Sequence, residues 1–418
     1  MVARQPMKVL LISANTERIN LPTLPYGLAL VAGAVRAAGH TVAMLDLRRE
    51  ADAGTVITRT VKELQPNVIG ISVRNIDDQC MERPRFLLAE VAHVVSACRE
   101  HSSAPVILGG AGYSIFPAAA LAYLGANFGI CGEGEVVFPA LLSRLEGGED
   151  AMNLPEIYSA GRTDRAARTF ATDLDALPLP AGDLWPTVDP ADPDLWVPVQ
   201  TRRGCPLECS YCSTPGLEGP TIRARSPGLV AKEIGRLAHA GFRRFYFVDN
   251  TFNLPTDYAV ELCRRITAER LDIGWRCGLY PRDVPEELVE TMAAAGCMEV
   301  GLGFESGASS VLRAMNKQFL PEEVRQISQR LGAHGIRRMG FLLLGGPGET
   351  QDTVAESVAF ADLLHLDQLR ITVGIRIYPE TPLAQTAVRE GVIAPEDDLL
   401  FPRFYLTPGL KYPASRAV

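Results

Sequence analysis

A chain of 418 residues, nearly half of them apolar, holds more than one hydrophobic core should carry, which points to two or three domains. Its formal net charge of −8 excludes a basic nucleic-acid-binding surface as its main business. No window reaches the roughly eighteen apolar residues of a membrane span, and nine unevenly spaced cysteines are no secreted disulfide framework, so a reducing, cytoplasmic setting is expected.

Over residues 1–150 short apolar runs alternate with helical stretches. Strands are expected near Lys8–Ser13, Thr41–Asp46, Asn67–Ser72, Pro105–Gly109 and Asn127–Cys131. Helices are expected near Pro25–Ala38, Gly54–Leu64, Arg85–Glu100, Ile115–Leu124 and Glu135–Leu145. Such alternation predicts a parallel sheet covered on both faces, a Rossmann-like domain in flavodoxin order with its ligand at the carboxyl ends of the strands. Those ends carry Ser72-Val73-Arg74-Asn75, then Gly109-Gly110-Ala111-Gly112-Tyr113-Ser114, then Gly132-Glu133-Gly134-Glu135. Any one of these glycines can simply make a tight turn, but three such loops on one edge favour a ligand. The first strand leads into Ser13-Ala14-Asn15-Thr16-Glu17 with no G-x-G-x-x-G, which argues against a dinucleotide.

Residues 151–196 are rich in proline and aspartate and read as an interdomain connection in which Trp185 and Trp196 pack over one domain. From Val197 the alternation resumes. Strands are expected near Val197–Arg203, Arg243–Asn250, Ile273–Gly278, Met298–Ser306, Arg338–Gly345 and Leu369–Tyr378, each followed by a helix. Six strand–helix units over 197–390 suggest a partial TIM-like barrel with its chemistry at the strand ends, and 391–418 form a short tail. After the first of these strands Cys205, Cys209 and Cys212 stand in a C-x3-C-x2-C spacing. Three thiolates in one loop suit a [4Fe–4S] cluster with one iron left open. Zinc prefers paired C-x2-C knuckles or histidines, and neither follows. The remaining cysteines lack such spacing; Cys98 and Cys131 read as small buried hydrophobes rather than ligands of a second cluster.

The cysteine loop, with aromatic Tyr211 before its third cysteine, resembles the radical S-adenosylmethionine (radical SAM) enzymes. The first domain resembles the cobalamin-binding domain that precedes many of their cores. The resemblance lies in Pro25-Tyr26-Gly27-Leu28-Ala29, the Ala38-Gly39-His40 turn, and the Gly109-Gly110 and Gly132–Glu135 loops. It spans residues 7 to about 390 and implies an α/β chain in which a Rossmann-like cobalamin-binding domain precedes a radical SAM partial (β/α)6 TIM-like barrel. The implied cofactors are a [4Fe–4S] cluster, SAM and cobalamin; the implied partners are a small-molecule substrate and a reductant such as flavodoxin or ferredoxin.

Carried onto matching positions, the resemblance makes Cys205, Cys209 and Cys212 the cluster ligands. It places Tyr211, Asp249, Asn250, Glu305, Ser306 and Gly345 around SAM. Ser72, Asn75, Gly109, Gly110, Gly112, Tyr113, Ser114, Gly132, Glu133 and Gly134 are placed around cobalamin, with Arg74 and Tyr378 as candidate catalytic residues. Arg276, Tyr280, Arg337 and Arg376 are expected either to line the substrate cavity or to lie at the surface. One departure is that the loop after the first strand lacks the histidine that ligates cobalt in base-off cobalamin proteins; Arg74 is the candidate to stand at that face. The activity implied is methylation of an unactivated carbon with two SAM, the alternatives being a rearrangement, ring contraction or oxidation without methyl transfer, or a B12- or redox-responsive binding protein.

Overall fold

A computed structural model describes residues 6–16, 24–151, 154–159, 168–180, 183, 188–190, 192 and 194–410. The first sheet contains β1 (Lys8–Ser13), β2 (Thr41–Asp46), β3 (Val68–Ser72), β4 (Val106–Gly109), β5 (Phe128–Ile130) and β6 (Ile157–Ser159), in the order β2-β1-β3-β4-β5-β6. β1 to β5 are parallel and in flavodoxin order, as expected; β6 adds an antiparallel edge. Its three residues sit in a stretch whose composition reads as linker, too short to show a period. Successive residues of β1 serve opposite faces: Val9 and Leu11 pack into one core and Leu10 and Ile12 into another, so the sheet is covered on both sides.

The second sheet has six parallel strands: β7 (Val197–Val199), β8 (Arg244–Phe247), β9 (Gly274–Leu279), β10 (Cys297–Glu305), β11 (Arg337–Leu344) and β12 (Gln368–Val373). Phe245, Phe247, Trp275, Cys277, Val300 and Leu302 face the surrounding helices and are almost fully buried. The alternate positions, Tyr246, Arg276, Gly278, Glu299 and Gly301, therefore face the lumen. Apolar packing runs unbroken from Leu11 and Val68 of the first sheet to Val197, Val199 and Phe245 of the barrel, so the two domains share a core.

Two expected strands are interrupted. The Val197–Arg203 run breaks after β7, and Arg202–Arg203 turns to pair antiparallel with Arg223–Ala224. Asp249 causes the break by accepting hydrogen bonds from Thr201 N (2.7 Å) and Arg202 N (3.0 Å). The Leu369–Tyr378 run breaks at Gly374, which has φ +76° and has the Met81 side chain where a Cβ would stand; Ile375–Arg376 then pairs with Phe404–Tyr405. The helix expected from Arg85 starts at Leu88, because the preceding segment is a fixed loop bridged between Asp77 and Phe86.

That loop is tied to the barrel. Asp77 Oδ2 accepts from Arg376 Nε at 2.7 Å with both side chains 3 % exposed, and the Arg376 guanidinium also donates to the carbonyls of Ile377 and Leu399. Removing one member of a buried pair leaves the other charge uncompensated. Asp77→Ala is therefore expected to lower unfolding free energy by about 3–5 kcal/mol, measured by chemical denaturation.

Candidate active site

The carboxyl ends of β1, β3, β4 and β5 open into a cavity of about 400 Å³ whose opposite wall belongs to the barrel. From the first domain it is lined by Asn15, Ser72, Arg74, Gly109, Gly110, Ser114 and the Gly132–Glu135 loop; from the second by Pro198, Gln200, Arg203, Glu218 and Val248. A Cβ added to Gly27, Gly109 or Gly132 would meet no atom within 4 Å, so three glycines on this wall face open space. Gly110 makes the turn itself: at φ +97° its Cβ would press on the Val73 carbonyl. The cavity runs back between sheet and helices along Leu11, Gly70, Ile107 and Phe138, an apolar slot beneath a polar mouth.

A buried ionic network joins the two walls. Arg203 Nη2 lies 2.5 Å from Glu135 Oε1 and Nη1 lies 3.4 Å from Glu133 Oε2; Arg223 Nη1 reaches Glu133 Oε1 at 2.7 Å. Burial works against the Arg203 charge, but Glu135 and Glu133 hold its pKa above the ordinary value. Arg203 directly precedes Gly204 and Cys205, so the loop that closes the cavity and the loop that carries the cysteines are fastened by one guanidinium.

The cysteine loop is pinned along its length. Cys205 N donates to Gly219 O (3.0 Å), Ser210 N to Met315 O (3.0 Å), and Leu383 N to Ser210 O (2.8 Å), while Asn316 Nδ2 caps Glu208 O at 2.7 Å. Cys205 is buried and Cys209 and Cys212 are half-buried, and none is in a disulfide. Burial, and then the neighbouring thiols, push Cys205 up to about 11. Among the described residues, the group of three metal-binding side chains gathered within 4.8 Å is Glu286, Glu290 and His334 on the outer surface.

Beside the loop, at the end of β10, Tyr211 donates its hydroxyl to Glu305 Oε1 at 2.9 Å and Lys317 Nζ reaches the same oxygen at 3.2 Å. Lys317, with a side chain 5 % exposed, lies over the Tyr211 ring at 5.2 Å. Burial opposes its charge, but Glu305, then Tyr211 and Cys209, hold its pKa well above the ordinary value. Glu305 adopts φ +59°, a left-handed conformation that is strained for a non-glycine residue and typical of functional positions. Lys317 had no signal in the sequence: it follows a six-residue helix, Ser309–Ala314, that periodicity could not reveal.

Several candidate residues have other occupations. Tyr113 is fully buried in the core, with its ring against Gly129, and does not line the cavity. Gly112 packs on the Arg74 carbonyl, and Asn75 donates to Asn15 beside a smaller cleft. Asp249 is buried and paired with Arg202, and Asn250 donates to Glu218. Ser306, with no exposed surface, shares a hydrogen bond with Ser357. Gly345 N donates to Glu349, and the Tyr378 hydroxyl accepts from Gln79 at 2.8 Å with its ring tilted on Phe116. Arg376 belongs to the interdomain pair already described and does not face the cavity. His40 lies at the opposite, amino end of the first sheet, where its Nδ1 accepts from Met7 N at 3.3 Å; most of the Asn15–Asn20 loop and Trp185 lie outside the described residues.

Comparison with known proteins agrees with this arrangement. The B12 binding domain family matches residues 12–142 and the radical SAM superfamily matches residues 199–361. An uncharacterized methyltransferase of Pyrococcus horikoshii is 26 % identical over 398 residues, covering 93 % of this chain and 84 % of that protein. The tryptophan 2-C-methyltransferase of Streptomyces laurentii is 24 % identical, covering 90 % of this chain and 74 % of that protein. The structure of the radical SAM methyltransferase TsrM from Kitasatospora setae, with cobalamin and a [4Fe–4S] cluster bound, superposes with a TM-score of 0.86 at 23 % identity over 99 % of this chain and 86 % of that one. The strand-end cavity of the first domain thus lies in the part of the chain that matches the B12 binding domain family, and the three-cysteine loop in the part that matches the radical SAM superfamily, a B12-binding domain ahead of a radical SAM domain.

Proposed function

We propose that this protein is a cobalamin-dependent radical SAM methyltransferase that places a methyl group on a carbon of a small-molecule substrate, working in the cytoplasm with an electron donor such as flavodoxin or ferredoxin. The observation that carries the reading is that one cavity is walled by both the glycine-lined strand ends of the first domain and the base of the cysteine loop, at Gln200, Arg203 and Glu218. When bound, the cluster and SAM supply a carbon-centred radical and the cobalamin supplies a carrier for the methyl group.

The residues fit these groups. Gly27, Gly109 and Gly132 leave the room that a flat macrocycle needs, and Ser72, Ser114 and Arg74 offer polar atoms around it. Cys205, Cys209 and Cys212 are the cluster ligands. The Glu305–Lys317 pair presents a carboxylate and an ammonium together, the complement of the amino and carboxylate groups of SAM, with the Tyr211 ring beside them. Arg74, exposed on the loop after β3 and lining the cavity, would stand against a cobalamin bound there. Among the described residues, no histidine lines the cavity.

Incubating anaerobically reconstituted protein with methyl-deuterated SAM, reductant and a small-molecule extract should yield a product heavier by one labelled methyl group. SAM cleavage without label transfer would instead mark a rearrangement or oxidation, and absence of SAM turnover a binding protein. Replacing Cys205, Cys209 and Cys212 together with alanine should remove the cluster's about four irons per chain while leaving cobalamin bound. Gly109→Leu should do the reverse, weakening cobalamin retention about tenfold or more, equivalent to about 1.4 kcal/mol, with iron content unchanged. Electron paramagnetic resonance of the bound cobalt(II) form should show no superhyperfine splitting from an axial nitrogen.

A further inference from the structure

The lumen of the barrel contains a charge with no complete partner. Arg276, on β9, is 7 % exposed, and its Nε and Nη2 meet no hydrogen-bond acceptor among the described residues. Among the described residues its ionic contact runs from Nη1 to Glu299 Oε1 at 4.0 Å, and Glu299 is shared with Arg337 at 3.4 Å. Nε–H and Nη2–H form the side-on edge of a guanidinium, the fork that takes the two oxygens of a carboxylate or phosphate in parallel. The guanidinium is held by aromatic rings, with the Trp196 centroid 3.9 Å and the Tyr246 centroid 5.1 Å from Cζ. That leaves the free edge as the unexplained feature, and a buried donor pair without acceptors calls for an occupant.

The surroundings favour an anion entering from the lumen. Arg74, Arg276 and Arg370 all act on the Tyr246 phenol, so positive charge converges here from both domains. The next lumen-facing position on β9, about 7 Å along the strand, is Gly278, where an added Cβ would meet nothing within 4 Å. Tyr246, on the neighbouring β8, pairs with Arg276 on one side and with Pro198 of β7 on the other; Pro198 and Val248, just after β8, line the large cavity, so this space adjoins the proposed cofactor site.

Resting on the reading of the barrel as the substrate-binding core, the geometry points to a substrate that carries a carboxylate or phosphate, gripped side-on by Arg276 at the base of the lumen. Its body then extends past Gly278 toward the strand ends where Glu305 and the cysteine loop stand. Arg276 is thus a specificity-determining residue.

The test is calorimetric titration of cluster- and cobalamin-loaded protein with benzoate and with inorganic phosphate, at constant ionic strength, alongside neutral benzamide. At least one of the two anions should bind saturably at one site and benzamide should not. Arg276→Gln and the charge-conserving Arg276→Lys should each weaken the anion about tenfold or more, because neither offers the fork, while iron and cobalamin contents stay at wild-type levels. If Arg276→Gln fails to load its cofactors, Arg276→Lys decides. Absence of saturable binding, equal binding of benzamide, or undiminished anion binding in the variants would overturn the proposal. So would a variant that loses cobalamin affinity alone, since the fork would then serve the cofactor's phosphodiester. If SAM is still turned over by a protein that binds neither anion, this inference fails and the enzymatic reading stands.

Discussion

The structure depends on a guanidinium buried between carboxylates of a different domain. Burial opposes the charge of Arg203, and Glu135 and Glu133 hold it in place, with Arg223 sharing Glu133. Neither domain can therefore present its half of the cavity alone at low energetic cost. Because Arg203 sits two residues before Cys205, and Glu133 and Glu135 flank the turn that closes the cavity, satisfying the charges also fixes where the cysteine loop stands relative to the strand ends. At the far side Asp77 and Arg376 do the same for the loop that carries Arg74.

The consequence is a division of space. The first sheet provides an open, glycine-bordered ledge, the cysteine loop a rigid frame, and the end of β10 a strained residue paired to a buried lysine. The cysteine loop is held by backbone hydrogen bonds and the end of β10 by a buried ion pair, contacts made within the protein itself, which spare binding energy from being spent on ordering it.

Much of this was legible in the sequence, because parallel α/β folds write themselves in strong periods. β1 and β2 begin and end where the apolar runs do, and the five helices expected in the first domain start within three residues of their expected positions. What strand periodicity left open was local. Asp249 and Ser306 stand at strand ends, as motif reasoning requires, but the first is consumed by Arg202 and the second by Ser357; strand-end position shows where a side chain begins, not what it touches. Tyr113 follows a glycine-rich loop and nevertheless turns inward, because Gly129 leaves space for its ring. Lys317, Arg203 and Arg276 were invisible or ambiguous for the same reason: their importance comes from partners 12 to 70 residues away, or from the lack of one.

The central claim is that the first domain's cavity and the barrel's cysteine loop serve one reaction space. It is tested most directly by electron paramagnetic resonance of protein loaded with both cobalt(II) cobalamin and the cluster. Reducing the cluster to its paramagnetic state should speed the spin relaxation of the cobalt signal, and the effect should vanish in the triple cysteine variant. Cobalt relaxation that is indifferent to the oxidation state of the cluster would contradict the account.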